Sequence, residues 1–146
     1  MSTSALICDT SAVLDYLVET APDHRAFRRA IDDAQTRYIP GLILAEVDYF
    51  LRKERQAMTA FMRDLSRGAF TYAPPTLPLL LRAMEIDRRF RGLELGLVDG
   101  SIVALAEKLG ITRLATRDIR HFSAVRLHSG RPFELVVHPS RPDGGD

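Results

Sequence analysis

Hydrophobic and polar positions alternate along this chain in two distinct rhythms. Short apolar runs of three to six residues recur: Ala5-Leu6-Ile7-Cys8, Arg37-Tyr38-Ile39, Ala69-Phe70-Thr71-Tyr72-Ala73, Ile111 to Thr116 and Phe133 to Val137. Runs this short, bounded by Pro, Gly or acidic residues, read as buried strands. Between them lie longer stretches with apolar residues every three or four positions. Val13, Leu14, Leu17 and Val18 mark one helix, which Thr10 or Ser11 can cap. Pro22-Asp23 opens a second, running to about Asp33 with Phe27, Ala30 and Ile31 on one side. Further helices are predicted over about Leu42 to Arg52, Gln56 to Arg67, Thr76 to Arg89 and Leu97 to Leu109. Gly68 and Gly110 stop two of them, and Pro78 is tolerated in the first turn of another. Strands alternating with helices predict a three-layer α/β/α domain with a mainly parallel central sheet.

The size agrees with one domain, since 146 residues is close to the modal domain length. We place that domain at 1–138, followed by a flexible Pro/Gly-rich tail at 139–146. Hydrophobic residues at 46% and charged residues at 27% are globular values and argue against disorder. No apolar stretch approaches the about 18 residues of a membrane helix. Met1 to Ala5 lack the basic region and long apolar run of a secretory signal. Cys8 is the single cysteine, so no disulfide forms within the chain, which suits a reducing, cytoplasmic location. The net charge of +1 does not mark a strongly basic nucleic-acid binder. Nearly all the cations are Arg, Lys53 and Lys108 being the only lysines.

In doubly wound sheets, ligands sit beyond the carboxyl ends of the strands. Four acids stand out against that expectation. Asp9 directly follows the first strand; capping the next helix is its alternative role. Asp118, just past the strand ending at Thr116, repeats the situation, with a turn as the alternative. Glu46 falls about 40° from Leu42 on a helical projection, inside the apolar stripe, whereas Asp48 falls about 240° away and reads as solvated. Asp99 falls between Ala106 and Val103, facing inward, although the dipole of a first helical turn also favours an acid there. Gly100 and Ser101 beside it leave room for something to approach. Asp15, Glu19, Asp32 and Asp33 are assigned to solvent, and Tyr16, Tyr49 and Tyr72 to the core rather than to base stacking. His24, His121 and His128 are not at metal-ligand spacing.

Carboxylates converging at one sheet edge cannot all remain ionised without a cation. Oxygen donors without a His or Cys cluster suit Mg²⁺ or Mn²⁺ rather than Zn²⁺. Mg²⁺ on carboxylates is common apparatus for attacking phosphodiesters, because the ion activates water and neutralises the leaving oxygen. The Arg clusters at 25/28/29, 82/88/89 and 117/120 could contact phosphates or form solvated faces.

Ile7-Cys8-Asp9-Thr10-Ser11-Ala12-Val13-Leu14, Ala45-Glu46-Val47-Asp48-Tyr49, Leu97-Val98-Asp99-Gly100-Ser101-Ile102-Val103-Ala104 and Leu114 through Phe122, taken in order, resemble the PIN-domain nucleases, especially the VapC toxins. The resemblance extends to about Val137. It implies a divalent-metal endoribonuclease of PIN-like fold. Asp9 and Asp99 would be principal metal ligands, Asp118 would complete the site, and Glu46 would position metal or water. Ser11 or Thr116 would offer a hydroxyl, and Arg117 would support substrate or site. The resemblance further implies Mg²⁺ as cofactor with Mn²⁺ able to replace it, structured RNA such as tRNA or ribosomal RNA as substrate, a homodimer, and a small DNA-binding VapB-like antitoxin that inserts a segment into the active-site groove. Arg120-His121-Phe122-Ser123 resembles a segment of members acting on ribosomal RNA.

Other classes fit less well. A phosphoacceptor receiver domain needs paired acids after the first strand and a Lys after a late one; Thr10 and Ser11 follow Asp9 instead. A haloacid-type phosphatase needs Asp-x-Asp, and Ser11 stands at the second position. A non-catalytic PIN module that only binds RNA or protein is disfavoured by the presence of all four acids. A housekeeping PIN nuclease of RNA maturation is the main alternative.

Overall fold

The computed structural model describes residues 4–140. Among these, five strands form one sheet in the order β3-β2-β1-β4-β5, every neighbouring pair parallel. The strands are β1 (Ala5–Cys8), β2 (Thr36–Pro40), β3 (Thr71–Ala73), β4 (Arg113–Ala115) and β5 (Glu134–Leu135). The helices are α1 (Thr10–Leu17), α2 (His24–Asp33), α3 (Ile43–Phe50), α4 (Arg55–Ser66), α5 (Leu77–Arg89), α6 (Gly96–Leu109) and α7 (Ile119–Ala124). The expected α/β fold is therefore present. Parallel strands need crossovers, and right-handed ones place α1–α4 on one sheet face and α5–α7 on the other. The packing of α1 against α2 and α3, and of α5 against α6, agrees with that division.

β1 is central and covered on both faces, which is why its run is apolar throughout: Leu6, Ile7 and Cys8 are fully buried. Ile39 of β2 and Leu114 and Ala115 of β4 extend that layer. Phe27 and Ile31 of α2 and Ile43 and Val47 of α3 supply further fully buried core residues. On the other side, α6 presents Ile102, Val103 and Ala106 to the core. α5 and α6 touch backbone to backbone at Gly100, where an added Cβ would stand 2.5 Å from the Ala83 carbonyl oxygen. What Gly100 admits is thus a neighbouring helix, while the Ser101 hydroxyl donates back to the Val98 carbonyl of its own helix.

The strand order reverses between β1 and β4. Chain leaves both strands at the same edge, so the residues following Cys8 and Ala115 meet in the crevice of a topological switch point. The Asp9 amide donates to the Ala115 carbonyl at 3.0 Å and closes that crevice from below.

Several local readings change. The strands around 69–73 and 133–137 shorten to 71–73 and 134–135. Both lie at sheet edges, where short strands limit unwanted pairing. α7 was not anticipated; its six residues are too few to show helical periodicity. Tyr16 is buried, but Tyr49 and Tyr72 are exposed, not core, because α3 ends just past Tyr49 and β3 lies at the sheet edge. Asp15 is buried rather than solvated, since Arg117 reaches across to it. Of the tail expected from 139, Ser140 is tied down: its amide and hydroxyl donate to Asp23 at 2.9 and 2.7 Å. Residues 1–3 and 141–146, on which the rest of the tail and part of the leader reading fall, lie outside the described residues.

Candidate functional site

The four acids singled out above lie at the carboxyl edge of β1 and β4. Asp9 caps α1, accepting the Thr10 amide at 2.7 Å on Oδ1. Its second oxygen accepts the Thr116 hydroxyl at 2.7 Å. Capping is therefore real and uses only part of the carboxylate's capacity. The Thr10 hydroxyl donates to Glu46 Oε1 at 2.5 Å, tying α3 to the start of α1. Asp118 accepts the His121 amide at 3.1 Å, capping α7, while its own amide donates to Thr116 Oγ1 at 2.9 Å. Thr116 thus links Asp9 and Asp118 directly. The Arg117 amide donates to Ser11 Oγ at 2.9 Å, which fixes the same turn to α1.

Asp99 enters from α6, half-buried. His121, one turn into α7, places Nδ1 2.8 Å from Asp118 Oδ2 and 3.3 Å from Asp99 Oδ2. Yet Nδ1 is buried and makes no hydrogen bond of acceptable geometry with either oxygen. Asp99, Asp118 and His121 offer donor atoms that all lie within 4.8 Å of one another. A buried polar atom without a hydrogen bond, facing two carboxylates, is a donor set that fits a divalent cation.

The electrostatics point the same way. Burial pushes the Asp9 carboxyl up to about 6, against the hydrogen bonds from Thr116 and Thr10, and the charges of Glu46 and Asp118 add to the rise. Burial also pushes Asp99 up to about 7, reinforced by the charges of Asp9 and Asp118 and opposed by His121. Asp9 thus feels Glu46 and Asp118, and Asp99 feels Asp9 and Asp118. Such shifts arise where like charges share a desolvated space without enough compensation.

Arg117 does not point into this space. Its Nη1 pairs with Asp15 at 2.7 Å and Asp23 at 2.5 Å, and Nη2 donates to the Ser140 carbonyl at 3.1 Å. Burial works to raise Asp23, but the bonds from Ser140 and Arg117 outweigh it and hold the carboxyl below its ordinary value. The support Arg117 gives the site is through its backbone amide on Ser11. Asp48 pairs with Arg55 at 2.8 Å and takes no part in the cluster. His121, set aside on sequence grounds as not at metal-ligand spacing, is the correction here: it adds a nitrogen to a donor set expected to be all oxygen. The signal available was its i+3 spacing from Asp118, which matters only once a helix starts there.

A family model for the PIN domain matches residues 6–127. This chain belongs to the PIN-domain family. It is 32% identical to Ribonuclease VapC26 of Mycobacterium tuberculosis over 134 residues, covering 90% of this chain and 99% of the relative. Among solved structures, Mycobacterium tuberculosis VapC20, described as a sarcin-ricin loop cleaving toxin, superposes with a TM-score of 0.67 at 22% identity, covering 75% of this chain and 87% of that one. Rickettsia felis VapBC2, solved bound to a DNA fragment from its promoter, superposes at 0.65 with 18% identity, covering 90% and 98%. In this PIN domain the quartet of acids spans nearly the full matched segment, from Asp9 to Asp118.

Proposed function

We propose that this PIN-domain chain is a Mg²⁺-dependent endoribonuclease, the toxin of a toxin–antitoxin pair, cleaving structured RNA of the tRNA or ribosomal RNA kind. The observation that carries the reading is the uncompensated carboxylate pocket at the switch point, with Asp9 and Asp99 both pushed well above the ordinary carboxylate range. Asp9, Asp99 and Asp118 would hold the ion, with Mn²⁺ able to substitute and His121 as an additional donor or counter-ion. Bound there, the cation would supply Lewis acidity toward water and the scissile phosphate. Glu46, anchored by Thr10, orients the attacking water and accepts its proton. Thr116 fixes the relative positions of Asp9 and Asp118, and Ser11 holds the turn between them.

The test is cleavage of purified tRNA and ribosomal RNA by the full chain with Mg²⁺, with EDTA, and by Asp9→Asn. Cutting that stops with EDTA and with the variant is expected. Cutting that survives both would overturn the assignment of the site.

The reading includes a VapB-like antitoxin as partner, as the Rickettsia felis complex pairs its own two proteins. It also includes a homodimer and a cytoplasmic location. Leu77, Leu81 and Met84 form an exposed apolar stripe on α5 at one-turn intervals, the kind of face a second copy would bury. Leu81→Glu should convert the dimer to monomer in sedimentation. No helix among the described residues is long and apolar enough to cross a membrane.

A further inference from the structure

α3 carries more than Glu46 toward solvent. Tyr49 and Phe50, three and four residues on, lie on the same side of the helix as Glu46 and about 4.5–6 Å further along its axis. They are 58% and 59% exposed, although large aromatic side chains normally find cover. Their rings meet edge to face, with centroids 5.5 Å apart at 78°. The Arg52 guanidinium lies 4.2 Å from the Tyr49 ring centroid, and its Nη1 donates to the Tyr49 carbonyl at 2.8 Å. Leu51, between them, is buried and anchors the helix end to the core. Lys53 is exposed beside Arg52.

We propose that Tyr49 and Phe50, with Arg52 and Lys53, form a stacking platform for an unpaired RNA base next to the scissile phosphate. The inference rests on the ribonuclease reading and adds to it what the site selects: a nucleotide that can leave its own stack. Aromatic faces take bases of any identity, and guanidinium and ammonium groups take the flanking phosphates. Asp48 is paired with Arg55, which leaves Arg52 and Lys53 against Glu54 alone at this helix end, a positive balance that favours RNA over a protein segment. The apolar cleft lined by Leu44, Met62, Leu65 and Tyr72, better suited to protein side chains, involves a part of α3 about 160° round from Glu46.

The chain has no tryptophan, so Phe50→Trp creates a single fluorescent reporter on the platform. With EDTA present, an unstructured single-stranded RNA oligonucleotide should quench that fluorescence, and a fully paired RNA duplex should not. Tyr49→Ala/Phe50→Ala should weaken single-strand binding by about tenfold or more, and raise KM in Mg²⁺ more than it lowers kcat. Phe50→Tyr should retain binding. Both positions are exposed, and the melting temperature of each variant checks that folding is intact. Unquenched tryptophan with RNA bound, or an unchanged affinity in the double variant, overturns the platform. So does a double variant that binds RNA normally but no longer self-associates in sedimentation, which assigns the pair to a protein contact. Quenching that persists in a chain that never cuts RNA sustains the platform and refutes the nuclease reading alone.

Discussion

Residues 117 and 118 are neighbours in the chain and belong to opposite electrostatic regimes. Arg117 turns toward Asp15 and Asp23 and, with Ser140, compensates both acids; Asp23 ionises more readily than a free carboxylate. Asp118 turns toward Asp99, with the His121 ring nitrogen against both carboxylates and, among the described residues, no Arg or Lys paired with either; Asp9 and Asp99 resist ionisation. Both clusters bury carboxylates at the same end of the sheet. The first is closed by a cation from the chain itself, and the second asks for one from outside. Buried charge marks a functional site only when the protein leaves it unbalanced.

The sharpest way to break this contrast is to neutralise one acid from each cluster. Asp99→Asn should lower RNA cleavage by more than the roughly 100-fold that outer partners of a metal ligand command. Its melting temperature should hold or rise, because repulsion is relieved. Arg117→Ala should do the reverse. Leaving Asp15 and Asp23 without their partner should cost roughly 1–3 kcal/mol in urea unfolding. Residual cleavage at a temperature where the variant is folded should stay within a few-fold. If Asp99→Asn unfolds the protein, or Arg117→Ala spares its stability, the two clusters are not different in kind.

The pH response sharpens the comparison further. Asp9 and Asp99 hold protons to higher pH in the folded chain than in the unfolded one. Between the ordinary value of 3.8 and about 6 to 7, the folded state therefore binds more protons, and stability falls as pH rises through that window. Asp23 has the opposite sign: its contribution is present above 3.8 and is lost as pH falls below it. In EDTA, wild type should lose stability relative to Asp99→Asn between pH 5 and 7.5. Adding Mg²⁺ at pH 7.5 should return it, since a ligand bound only by the native state stabilises by mass action. No difference between the two proteins across that range would remove the charge-imbalance account. The smallest effect belongs to Asp48→Ala, which breaks an exposed pair with Arg55; stability should move by about 0.5 kcal/mol or less and cleavage hardly at all.

Local physics made much of this legible in advance. A fully apolar run followed by Asp announced β1 and its capping acid. The helical phase of Asp99 set it facing inward; for Glu46 the phase misjudged the face, because Phe50, counted in the apolar stripe, is exposed and the buried side of α3 is Ile43, Val47 and Leu51. What stayed hidden depends on distant chain. Asp15 reads as a surface residue until Arg117, 102 positions away, is folded over it. His121 gains meaning only from α7, whose six residues carry no periodic signal. Tyr49 and Phe50 look like core by composition; their exposure follows from where α3 stops, which no pattern of residues announces.

The backbone contact at Gly100 bears on how this pocket responds to occupancy. With the Ala83 carbonyl 2.5 Å from where a side chain would begin, α6 and α5 pack with their backbones in contact. Asp99, the residue before Gly100, is thereby carried on a helix pressed directly against its neighbour. For an ion held as proposed, adjustment to its radius would fall to the short turn from Thr116 to Asp118 and the small helix α7 behind it, so the choice between cations would be set by the compliance of that turn.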